Sequence, residues 1–85
     1  MTQYDATFRV LVSPATGRLR FLPPKRFERG MEMVEAGQAI AHVVHGTGDM
    51  ILRAPFAGRL AAVMGLEGEP VVPGSAVVAI EPVEA

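Results

Sequence analysis

The chain has 85 residues, 49% of them hydrophobic, with a formal net charge of −1 and no cysteine. That length holds one small domain, and the apolar share argues for a packed core and against disorder. The near-neutral balance gives no global field for nucleic acid or an anionic membrane, and the lack of cysteine removes a disulfide framework, a thiol nucleophile and a thiolate metal site.

The N-terminal MTQYDATFRVLV has no basic region followed by an apolar run, so no signal peptide is expected there. No apolar stretch approaches the ~18 residues of a membrane span. A single soluble, cytoplasmic domain over residues 1–85, without membrane contact, is the expectation.

In chain order, FRVLV, RLRFL, AIAHVV, MILRA, RLAAVM and AVVAIEP are short runs rich in Val, Ile and Leu, separated by nine Gly and seven Pro. Such lengths between turn formers read as strands. Gly or Pro interrupts every candidate helical stripe. In GMEMVEAGQAIAHVV, Gly30 and Gly37 frame only six residues, which reads as a turn or a very short strand. RLRFLPPKRFER (Arg18 to Arg29) reads as a loop stiffened by Pro23-Pro24, with Phe21 on the core face. HGTGD (His45 to Asp49) reads as the apex of a hairpin.

The runs repeat. Pro14 and Pro55, Gly17 and Gly58, and Leu19 and Leu60 are each 41 positions apart; Val34 and Val71, Gly37 and Gly74, and Ile40 and Val77 are each 37 apart. The first copy therefore carries four extra residues between Leu19 and Val34. Each copy reads strand, Pro-x-x-Gly turn, strand, loop, Val-x-x-Gly turn, strand. Half a domain of this size cannot bury its own apolar face, whereas two halves face to face can. An all-β flattened sandwich of two quasi-symmetric repeats is expected, the first over about 8–45 and the second over about 49–82. The paired glycines are expected in equivalent turns, with left-handed backbone as the reason for having no side chain.

This order of Pro-x-x-Gly, Val-x-x-Gly, strand, hairpin, Ala-Pro-x-x-Gly, Val-x-x-Gly and strand resembles the biotinyl/lipoyl carrier domain, a barrel-sandwich hybrid. The resemblance spans about residues 8–82, and VEAGQAIAHV, APFAGRL and VVPGSAVVAIEP carry it. In that family the hairpin between the copies presents a lysine that is acylated by biotin or lipoate. Aligned on Ala54-Pro55, the lysine slot falls at Thr47, flanked by Gly46 and Gly48. Lys25, in the first copy, is the only lysine in the chain. A threonine hydroxyl cannot replace the amine from which the amide is made. The resemblance therefore implies the frame of a carrier without its cofactor. The apex reads as a plain turn in which Gly46 and Gly48 take positive φ and Asp49 caps.

His42, His45 and Asp49 could suggest a metal site or a catalytic base. Residues three apart on a strand point to opposite faces, and no third ligand accompanies the two histidines. A surface pair of His45 with Asp49 across the turn is the expectation. Ser13 sits in a Ser-Pro turn with no nucleophile motif. Enzyme activity is therefore not expected of this chain.

Arg18, Arg20, Lys25, Arg26 and Arg29 are interleaved with Phe21 and Phe27, while Glu67, Glu69, Glu81 and Glu84 balance the charge later in the chain. The bland reading is a solvated loop. The functional reading is a docking surface for an acidic protein partner, with Phe27 as anchor and Lys25, Arg26 and Arg29 around it; nucleic acid ranks third. The expected role is a non-catalytic scaffold or interaction subunit of a larger complex, with homo-oligomerisation left open. The alternatives are a working biotin or lipoyl carrier of a carboxylase or 2-oxo-acid dehydrogenase complex, which would need Lys25 as its attachment point, and a lipoyl-like adaptor.

Overall fold

Short apolar runs between turn formers need neighbouring strands to satisfy their backbone, and here they find them in two sheets. The computed structural model describes residues 8–83. Met1 to Thr7, Glu84 and Ala85 lie outside these, so the expectation for the first seven residues and the acid at Glu84 fall there too. The strands are β1 (Arg9–Val12), β2 (Gly17–Phe21), β3 (Arg26–Glu28), β4 (Met31–Val34), β5 (Ala39–His45), β6 (Gly48–Arg53), β7 (Gly58–Val63), β8 (Pro70–Val71) and β9 (Ala76–Pro82). One sheet runs β1-β9-β7-β4-β3 and the other β6-β5-β2-β8, with every strand pair antiparallel. The all-β sandwich expected from the sequence is the fold observed.

The sheets close on a core of Leu19, Val34, Ile40, Ala41, Val43, Ala54, Val71, Val77, Val78 and Ile80. Phe21 packs against it from the side, as the alternation in RLRFL predicts. In β5, Ile40 is skipped in the register with β6; in β9, Val77 is skipped in the register with β1. Each is a bulge, which lets adjacent residues of a central strand both turn inward. The turns before these strands are held alike. The Gly37 N–H donates to the Ala54 carbonyl at 2.7 Å, and the Gly74 N–H donates to the Ser13 carbonyl at 2.9 Å.

Two expectations change. Arg18–Arg29 is not one loop, because Arg26–Glu28 forms the edge strand β3, hairpinned to β4 with Glu28 opposite Met31. β3 thus widens one sheet by a strand. The two-residue turn of that hairpin has φ 54° at Arg29 and 81° at Gly30. Both central residues of this type I′ arrangement must be left-handed, and Asn or Gly usually supplies the first.

Gly17 and Gly58 also differ from expectation, since neither has positive φ. They open β2 and β7 where two backbones touch. A Cβ on Gly17 would meet the Val44 carbonyl oxygen and lie 2.9 Å from Val43 Cγ1; one on Gly58 would meet the Glu81 carbonyl oxygen and lie 2.7 Å from Ile80 Cγ2. The left-handed reading holds for Gly37 (φ +84°) and Gly74 (φ +93°), where a side chain would meet open space.

Chemical denaturation should separate these causes. Gly17→Ala and Gly58→Ala should each lower stability by about 1–3 kcal/mol through overpacking, and Gly74→Ala by about 1–2 kcal/mol through its dihedral alone. A neutral Gly17→Ala would refute the close approach. Relief of the strain at Arg29 should make Arg29→Asn more stable by roughly 0.5–1 kcal/mol, and an unchanged midpoint would show the turn to be unstrained.

Candidate interaction surfaces

The β5–β6 hairpin ends in the two-residue turn Gly46–Thr47, with His45 opposite Gly48. Gly46 has φ +54°, and Thr47 does not have positive φ, which is the arrangement of a type II′ turn with glycine first. Gly48 is an ordinary strand residue, so only one of the two apex glycines is there for its dihedral. Thr47 is exposed at the tip.

Asp49 does not pair with His45 or cap the turn. Its carboxylate lies 3.0 Å from Nδ1 of His42. The register explains the choice: Val44 faces Asp49 and His42 faces Ile51, so His42 is the diagonal same-face neighbour of Asp49, within reach of a long side chain. His45 lies on the other face. Among the described residues no group of three or more His, Cys, Asp or Glu could hold a metal ion, and no helix is long and apolar enough to cross a membrane.

Most of the basic segment is already engaged. Arg18 Nη1 donates to the Gly68 carbonyl at 3.0 Å. Arg20 Nε donates to Glu67 at 2.7 Å, whose other carboxylate oxygen accepts the Phe21 N–H at 2.8 Å. Arg26 reaches Glu28 at 3.3 Å and Glu35 at 3.6 Å. Of the five, Arg18, Lys25 and Arg29 lack a carboxylate partner among the described residues, and of these Arg18 is held by the Gly68 carbonyl. Lys25 lies on the connection between β2 and β3, away from the hairpin tip. Phe27 is 57% exposed on β3. That edge is three residues long and charged at both ends, the form that discourages strand addition. What that edge exposes is therefore chiefly the Phe27 side chain rather than a free backbone ladder.

One feature was missed in the sequence. At the flank beside β3, a cleft of about 200 Å3 opens between the sheets, lined chiefly by Phe21, Pro23, Pro24, Leu60, Val63 and Val78, with Glu32 and Gln38 among its polar groups. The Glu32 carboxylate makes no hydrogen bond or ion pair among the described residues, and burial raises its pKa above the usual value because the charged form loses water. The signal was available: Val34 is core, and two residues back along a strand is the same face. Comparison with protein-family models and with curated proteins finds no match for the chain.

Two carboxylates here titrate in opposite senses. The Phe21 N–H and the Arg20 guanidinium hold Glu67 below the usual value. A lowered folded value stabilises above the ordinary carboxylate range and loses that contribution as pH falls through it. Glu32 is raised, so its contribution is full at low pH and is lost as pH rises. Thermal melts should show Glu67→Gln less stable than the parent at about pH 7, and Glu32→Gln more stable. Both differences should shrink toward about pH 3 as the carboxylates protonate. A Glu32→Gln variant that melts lower at neutral pH would mean that the ionised carboxylate has a partner.

Proposed function

We propose that this chain is a biotinyl/lipoyl-like domain of barrel-sandwich hybrid type without the acceptor lysine, acting as a non-catalytic interaction or scaffold subunit of a larger complex. The observation that carries the reading is the hairpin tip: Thr47 occupies the exposed two-residue turn between β5 and β6, where the carrier pattern calls for a lysine amine.

The two-copy frame is supported by correspondences beyond spacing. Gly17 faces Val71 where β2 meets β8, and Gly58 faces Val34 where β7 meets β4. Leu19 faces Val43, and Leu60 faces Ile80. The bulges at Ile40 and Val77 and the turns at Gly37 and Gly74 fall at matching places.

The interaction surface is placed at Phe27, with Lys25 and Arg29 as the cations free to meet an acidic rim. Arg26 is a poorer contact than the sequence suggested, since Glu28 and Glu35 already share its charge. An exposed aromatic on a strand fixed by a hairpin loses little freedom on binding.

Intact mass of the protein made in its native host should equal that of the bare chain. A biotin or lipoate increment mapped to Lys25 would overturn the scaffold reading in favour of the carrier. In pull-downs of the native partner, Phe27→Ala should weaken association by about 2 kcal/mol, roughly 30-fold, with an unchanged melt, while Thr47→Lys should bind as the parent does. The reverse pattern would move the contact surface to the apex.

A further inference from the structure

We infer that the flank cleft between the sheets is a receptor for a single lysine side chain presented by the protein partner, with the aliphatic stem against Phe21, Pro23 and Leu60 and the ammonium on the Glu32 carboxylate. The partner as source rests on the proposed scaffold role; the chemistry of the cleft does not.

Three observations lead there. The first is size. At about 200 Å3 the cleft is smaller than the ~300–1,000 Å3 of sites that enclose a whole small ligand, but it suits one extended side chain. The second is lining. Its walls are aromatic, aliphatic and proline, and its one charged group is Glu32. A carboxylate at the border of an apolar cleft complements a compact cation on a hydrocarbon stem, the amphipathic form of lysine. Arginine fits less well: Glu32 could accept two of its five N–H donors, but the rest would lack acceptors in the cleft, since the amide oxygen of Gln38, the other polar side chain there, already accepts the Glu35 N–H at 3.0 Å. The third is continuity. Phe27 stands directly opposite Glu32 in the β3–β4 register, so the exposed aromatic and the carboxylate share one face of the sheet.

Binding would also relieve the cleft. An ammonium beside Glu32 favours its ionised form, which burial disfavours in the free protein. Affinity should therefore rise with pH as Glu32 ionises, while the lysine stays charged throughout.

The probes are Nα-acetyl-lysinamide and its uncharged counterpart Nα-acetyl-norleucinamide, titrated into the full chain and followed through the methyl resonances of Leu60, Val63 and Val78. The lysine probe should shift these methyls with millimolar affinity, bind at least tenfold tighter than the norleucine probe, and lose that advantage in Glu32→Gln. Its affinity on the parent protein should rise between about pH 4 and pH 7, a readout that needs no variant to fold. Equal binding of the two probes, an unchanged affinity in Glu32→Gln, shifts confined to other faces, or no shift at about 0.1 M probe would each overturn the inference. A partner pull-down that fails while the lysine probe still binds would sink the scaffold role and leave the cleft's specificity standing.

Discussion

Two places where backbone lies against backbone set the rest of this structure. At Gly17 and Gly58 the chain enters β2 and β7 in contact with the carbonyls of Val44 and Glu81. These belong to β5 and β9, the strands at the centre of the hydrogen bonding, since β5 pairs with β2 and β6 while β9 pairs with β1 and β7. A side chain at either glycine would push an inner strand away from its neighbour. Leu19 and Leu60, two residues further on, lie in the core and at its margin.

The central strands then bury more than alternation alone permits. In a regular strand every second residue faces inward. The bulges at Ile40 and Val77 let Ile40 and Ala41, and Val77 and Val78, all join the core. For a sandwich with no tryptophan and a core of Leu, Ile, Val and Ala, these extra inward residues are a large share of the buried apolar surface. The regularity stops on one flank. Ala61 is skipped in the register of β7 with β9, whereas β2 runs against β5 without a shift. Beyond that bulge Val63 pairs with Val78, and both line the cleft. The proline pair and β3 lie on the same flank. The register shift, the proline pair and the edge strand thus collect around one opening.

How legible this was from the sequence depended on the range of the interaction. The strands were readable because Gly and Pro bound runs of Val, Ile and Leu, and the spacings of 41 and 37 aligned the glycines before any contact was known. β3 was not, because Arg-Phe-Glu has the composition of a loop and becomes a strand only by pairing with β4. The reason for Gly17 and Gly58 was also out of reach, since left-handed backbone and close approach both ask for glycine and only coordinates tell them apart. The partner of Asp49 turned on a diagonal across a hairpin, and that of Arg20 on Glu67, 47 positions away. Glu32 was within reach by counting back from Val34, but the Met-Glu-Met context hid it, with an exposed Met31 on one side and a buried Met33 on the other.

The hairpin and the flank offer different things to a partner. The β5–β6 tip is a turn whose backbone is satisfied by its own register, closed below by the His42–Asp49 pair, and Thr47 adds only a short hydroxyl. Nothing there resists water, so a contact at the tip would exchange one solvated surface for another. The flank differs in kind. Its walls are apolar, Phe27 stands opposite Glu32 in the strand register, and Glu32 is a charge the fold leaves without a counter-ion among the described residues. A buried or half-buried charge without a partner weakens the domain that carries it, and the fold could have removed it with a glutamine at no cost in shape. On the proposed reading, that weakness is what makes the flank specific. A partner that supplies the missing cation regains what the free domain gives up, and one that brings an acid or an uncharged stem does not.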